Sequence, residues 1–220
     1  MQLMGGDIAV LPTAPEVTRN GDVHYPFRPD SDFYYLTHFP EPEAIAVLAP
    51  GRSNGEFILF CRERDAEKES WNGIRSGLEG AVEKYGADDA FPIEDASEIL
   101  PGLLENQNRI YCNIGRYPNF DNRMLSWANE PRNKLPNGMT ASREFVDIGH
   151  ILHEMRLIKQ KEEVKIMKHA ARISAAAHCR AMRACRPNMY EFEIQSEIEY
   201  EFRKAGAHSS AYPSIVAGGS

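Results

Sequence analysis

Four short apolar runs mark the first half of the chain: residues 8–11 (IAVL), 44–49 (AIAVLA), 56–60 (EFILF) and 109–112 (RIYC). Each is bounded by Gly, Pro, Asn or Asp and is too short for a helix, so each predicts a buried strand. Helical patterns fall between and after the last two. SGLEGAVEKYG places Gly86 as a C-cap, Pro101 limits any helix in ASEILPGLLEN, and NFDNRMLSWANE reads as a helix ended by Pro131. Strands alternating with helices predict an α/β layer domain over residues 1–143.

The pattern changes beyond a linker at residues 144–160. In the region 161–220, Ile166, Ala170, Ile173, Ala177 and Ala184 share one stripe, which predicts a long amphipathic helix stopped by Pro187. His169 and His178 fall at the polar edge of that stripe rather than among candidate ligands. The next segment, NMYEFEIQSEIEYEFRKAGA, carries two conflicting signals. Tyr190, Phe192, Ile194, Ile198, Tyr200 and Phe202 alternate as in a strand, whereas Asn188 with Glu191 resembles a capping box, and Lys204 before Gly206 resembles a helix end. Glu and Gln favour helix, so we read a helix whose Glu193, Glu197 and Glu201 form one row facing water. A carboxylate metal site on that row is the alternative.

Composition narrows the class. The 220 residues are 42% hydrophobic, an ordinary globular balance, with no low-complexity run and no repeat. The net charge of −7 is divided unevenly: residues 1–150 hold 14 basic and 24 acidic side chains, residues 151–220 hold 11 and 8. The sign change supports a boundary near residue 150. An acidic first part argues against nucleic acid as a partner, because phosphate binding needs clustered positive charge. No apolar run is long enough to span a bilayer, and MQLMGGDIAV lacks the features of a signal peptide, so a cytoplasmic location without membrane association is expected. Cys61, Cys112, Cys179 and Cys185 form no C-x-x-C pair and are expected as reduced thiols packed like small hydrophobes.

One stretch invites a metal reading. GHILHEMRLIKQKEEV holds His150, His153 and Glu154 within five residues. A zinc helix of the H-E-x-x-H kind needs its second histidine where Leu157 stands, so the motif is broken and the plain reading is a polar element boundary.

Five segments, in order, resemble one family. They are residues 14–44 (APEVTRNGDVHYPFRPDSDFYYLTHFPEPEA), 69–77 (ESWNGIRSG), 153–174 (HEMRLIKQKEEVKIMKHAARIS), 185–202 (CRPNMYEFEIQSEIEYEF) and 209–220 (SSAYPSIVAGGS). They are similar to Xaa-Pro aminopeptidases, the aminopeptidase P group of the creatinase/prolidase superfamily. The resemblance implies an N-terminal mixed-sheet α/β domain with flanking helices. The first helices of an incomplete α+β pita-bread catalytic domain would follow, with the HEMR segment as a hinge that holds no metal.

In that family two divalent ions, usually manganese, activate a bridging hydroxide that releases an N-terminal residue preceding proline. None of the family's five ligands maps onto this sequence, so no metal, cofactor or catalytic residue is expected in this chain. The site residue that carries over is Trp71, which matches a tryptophan that in some family tetramers reaches a neighbouring subunit's active site. The alternative for Trp71 is packing within its own domain. Arg132 and Arg143 do not align securely with the family's substrate-contacting arginine and stay unassigned.

The implied protein is a homo-oligomeric metallopeptidase acting on peptides with proline second, of which this chain is an inactive portion. A non-catalytic module for oligomerisation or interdomain packing, or a prolidase relative, are the other readings. The apolar stripes after residue 150 would normally lie on a sheet outside this chain, so residues 151–220 are expected to be less protected than residues 1–143.

Overall fold

The computed structural model describes residues 1–134 and 142–218. The chain forms two compact units, Met1–Met155 and Arg156–Ser220. The first unit is built on β1 (Ile8–Pro12), β4 (Ile45–Leu48), β5 (Phe57–Cys61), β6 (Asp89–Pro92), β7 (Arg109–Cys112) and β8 (Glu144–Asp147), with a separate hairpin of β2 (Thr18–Asn20) and β3 (Val23–His24). Its helices are α1 (Ser31–Thr37), α2 (Ala66–Asn72), α3 (Gly77–Glu83), α4 (Ala96–Leu103), α5 (Pro118–Lys134) and α6 (Gly149–Leu157).

The six-stranded sheet runs β6-β5-β4-β1-β7-β8. It is mixed: β1, β4 and β5 pair antiparallel, whereas β5–β6, β1–β7 and β7–β8 are parallel. Apolar runs without polar alternation form strands here because both faces are covered. Ile8, Val10, Val47, Ile58, Phe60 and Ile110 meet Leu100, Met124 and Trp127 from α4 and α5 on one face. Ala9, Leu11, Ala46, Leu59 and Tyr111 meet Phe33, Phe39, Ala81 and Leu152 on the other. Each fully buried large side chain among them contributes about 1.5–3 kcal/mol.

All four predicted strands are present. The strands β6 and β8 carry weaker patterns, DAFP and EFVD, and do not announce themselves. Residues 144–160, expected as a linker, contain β8, in register with β7, and helix α6. Within the first unit neither predicted proline stop holds. Pro101 is buried inside α4, and α5 runs through Pro131 to Lys134. A proline removes one backbone hydrogen bond, but helices already anchored by Leu100, or by Met124, Trp127 and Ala128, continue past it for a few residues. Gly86 has φ +71°, and its N–H donates to Val82 O just past the end of α3, as its assigned role requires.

The second unit contains α7 (Lys161–Ala184) and α8 (Glu191–Lys204). The strand-like alternation over 190–202 therefore yields to helix. The helix starts later than Asn188 and Glu191 suggest: Asn188 has φ +69°, and Glu193 accepts the Tyr190 N–H at 2.7 Å, so the cap lies two residues on. On α7 the predicted stripe is only partly covered. Ala177 is buried and Ile173 half-buried, but Ile166 and Ala170 are exposed.

Candidate functional site

Polar side chains of the first unit gather where the C-terminal ends of β7 and β8 meet the start of α1. Asp30 caps α1, its Oδ1 accepting the N–H groups of Asp32 at 2.8 Å and Phe33 at 3.0 Å. The other oxygen accepts the Tyr117 hydroxyl at 2.9 Å and lies 2.8 Å from Arg116 Nη2. Asp32 lies 3.3 Å from Arg116 Nη1 and 3.5 Å from His153 Nε2. Both carboxylates are buried, at 3% and 2% exposure. Arg116 and His153 remain partly open to solvent.

Such burial is tolerable because one guanidinium spans both carboxylates, while two backbone N–H groups and the Tyr117 hydroxyl also bond Asp30. Burial opposes the charge of Arg116, but Asp30, Tyr117 and Asp32 more than offset it, and its pKa lies above the ordinary value. Burial, followed by the bond to Asp30, pushes the Tyr117 hydroxyl up. The cluster thus ties α1, the β7–α5 loop and α6 together through charge. Beside it, Pro12–Glu16, Glu43–Ile45, Ile93 and Tyr117–Phe120 line a groove of about 590 Å³.

Sequence reasoning missed Asp30, Asp32, Arg116 and Tyr117. A signal was available in FRPDSDF, where an aspartate two residues before another opens an apolar helical turn. It did consider His150, His153 and Glu154, and the structure does not bring these three together as ligands. His150 Nδ1 meets Asp147 O, His153 faces Asp32, and Glu154 is exposed. Among the described residues no group of three or more His, Cys, Asp or Glu side chains is arranged to hold a metal ion.

Trp71 lies apart from this cluster, on α2, and is 85% exposed. It therefore does not pack within its own unit. Arg143 is exposed and donates its N–H to Asn108 O, while the side chain of Arg132 lies outside the described residues. His169 and His178 are exposed on α7. The row on α8 is not a water-facing row throughout. Glu197 accepts Arg180 Nε at 2.5 Å and Glu201 lies 3.9 Å from the same guanidinium, which sits 4.2 Å over the Tyr200 ring. An arginine on α7 with two carboxylates in reach turns that side of α8 inward. Cys61 and Cys112 are buried free thiols, but Cys179 on α7 and Cys185 just past its end are exposed.

Comparison with known proteins gives a consistent result. The aminopeptidase P N-terminal domain family matches residues 1–111, and metallopeptidase family M24 matches residues 165–220. Xaa-Pro aminopeptidase from Escherichia coli is 38% identical over 219 residues, covering 99% of this chain and 50% of the relative. Human Xaa-Pro aminopeptidase 3 is 29% identical over 216 residues, covering 96% of this chain and 41% of its own length. The solved structure of Pseudomonas aeruginosa aminopeptidase PepP superposes with a TM-score of 0.94 at 54% identity, covering 96% of this chain and 48% of that one. The chain spans about half the length of the curated relatives it matches.

Proposed function

This chain belongs to the aminopeptidase P family, and from that premise we propose that it supplies the N-terminal domain and the first catalytic-domain helices of an Xaa-Pro aminopeptidase. The intact enzyme, in this reading, removes the first residue of peptides with proline in second position. The observation that carries it is the order of the two family matches, together with a 54% identical solved aminopeptidase that follows this chain over 96% of its length.

Family M24 comprises metallopeptidases, so divalent metal belongs to the intact enzyme, and manganese is our assignment for its two ions. When bound, such ions supply an activated hydroxide and stabilise the developing oxyanion. In this reading the residues that hold the ions are not among those described. No step of hydrolysis is therefore assigned to the described residues. The part given to this chain is to shape and present. Trp71, fully displayed on α2, walls the substrate pocket of a neighbouring subunit in a homo-oligomer. The cytoplasm is our proposed location, and no helix among the described residues is long and apolar enough to cross a membrane.

The test is an assay of Xaa-Pro and Xaa-Ala peptides with added manganese. The full-length gene product is expected to cleave only the former, and the 220-residue polypeptide neither. Equal cleavage of both peptides by the full-length product would refute the proline reading.

A further inference from the structure

The two most exposed large apolar side chains described in the first unit sit three residues apart, Trp71 at 85% and Ile74 at 81%. Trp71 lies in the last turn of α2 and Ile74 in the loop that follows it, and a segment displaying such side chains gains no order from burying them. Beyond the helical bonds of α2, its order comes from carboxylates beneath it. Glu69 is only 10% exposed: its Oε1 accepts from Arg64 Nε and, at 3.2 Å, from the Arg75 N–H, while its Oε2 accepts Arg64 Nη2 at 2.9 Å. Glu41, 13% exposed, reaches in from the preceding segment and accepts the Ser76 N–H at 2.6 Å. Arg75 Nη1 in turn donates to Glu63 O at 3.3 Å. Arg64 is seated over Gly77, where φ is +63° and a Cβ would lie 2.7 Å from Arg64 Cγ, so only glycine admits this arrangement.

We propose that Glu69, clasped by Arg64, and Glu41 are positioning residues that hold the Trp71–Ile74 loop in a preformed shape for insertion into a neighbouring subunit. This rests on the reading of Trp71 given above. Glu69 lies at the loop's entry, Arg75 and Ser76 at its exit, and the carboxylates fasten both ends without covering the side chains between them. A loop ordered in advance loses less conformational entropy when it docks, so the clamp acts on association and on pocket geometry rather than on chemistry.

The protein has two tryptophans, Trp71 on this loop and Trp127 in the core at 4% exposure. Fluorine NMR of the chain labelled with 5-fluorotryptophan therefore gives one reporter and one internal reference. In Glu69→Ala and in Glu69→Ala/Glu41→Ala the Trp71 line is expected to shift and narrow toward that of a free loop, with the Trp127 line unmoved. Arg64→Ala, a change at a 60% exposed side chain, is expected to do the same if the glutamate variants fold poorly. A native Trp71 line in all three variants overturns the clamp.

Sedimentation equilibrium of the full-length gene product, which brings the neighbouring pocket with it, separates the clamp from the reading beneath it. Trp71→Ala and Glu69→Ala are each expected to weaken self-association about tenfold. If Trp71→Ala has no effect while the Glu69→Ala line still moves, the clamp stands and the role of Trp71 falls. If Trp71→Ala weakens association and Glu69→Ala does not, the positioning role falls.

Discussion

Asp30 shows how a buried charge is made tolerable and what its loss would do. Its carboxylate caps α1 and holds both Arg116 and Tyr117. Replacing it by alanine removes a cap and leaves an arginine and a phenol without that acceptor, and Asp30→Ala is expected to destabilise the chain by about 2–4 kcal/mol. Asp30→Asn, which retains an acceptor for the cap, should cost roughly half of that, as read from urea unfolding midpoints. The cysteines divide more sharply. Burial raises the Cys61 and Cys112 thiols to about 12, with Glu41 and Asp121 respectively as the next contributors. At pH 8 a disulfide reagent should therefore label Cys179 and Cys185 in the folded chain and the other two only after denaturation. Early labelling of all four thiols would contradict the fold. Glu69 behaves oppositely: the hydrogen bonds from Arg64 hold its pKa below the ordinary carboxylate range. Its contribution is fully present above that ordinary range and is lost as pH falls through the lowered value, so the Trp71 fluorine line should titrate below the usual glutamate range and move up toward it in Arg64→Ala. The Asp30 pairings with Arg116 and Tyr117 were not legible in sequence, because they join side chains 86 and 87 residues apart, whereas Arg64 and Glu69 are only five apart. Asp30 and Arg116 are brought together only by the sheet.

At the scale of elements, the legible features were those that carry their own pattern. The runs at 8–11, 44–49, 56–60 and 109–112 became β1, β4, β5 and β7 because continuous apolar residues fit strands buried on both faces. The strands β6 and β8 lack such runs, since they lie at the two edges of the sheet, and register with a neighbour defines them more than composition does. The α8 segment had two periods, and its caps and glutamates decided in favour of helix. Its acidic row was misread as facing water because the charge complement, Arg180, lies on another helix. Leu59, wholly buried in the middle of β5, offers the cleanest test of the sheet. Leu59→Ala is expected to cost about 2–5 kcal/mol by chemical denaturation, whereas Leu125→Ala, on the 41% exposed side of α5, should stay within about 0.5 kcal/mol.

For the whole molecule, the two units differ in how much they bury. The first has both faces of its sheet covered, while among the described residues of the second only Ala177 is fully enclosed, and Ile166, Met167, Met182, Tyr212 and Ile215 stand open. Amide exchange should accordingly be fast over residues 156–218 and slow over β1, β4, β5 and β7, and uniform protection would contradict that ranking. The order of strands in the sheet has a further consequence for how the chain is made. The strand β1 emerges first yet ends in the centre, with β4 on one side and β7 on the other. The antiparallel trio β1–β4–β5 can zip together once Cys61 has left the ribosome, but the flank of β1 that awaits Ile110 and Tyr111 stays unsatisfied for roughly fifty residues more of translation. That bare flank is where a nascent chain would mispair with its neighbours on a polysome, and covering it is the natural task for a chaperone.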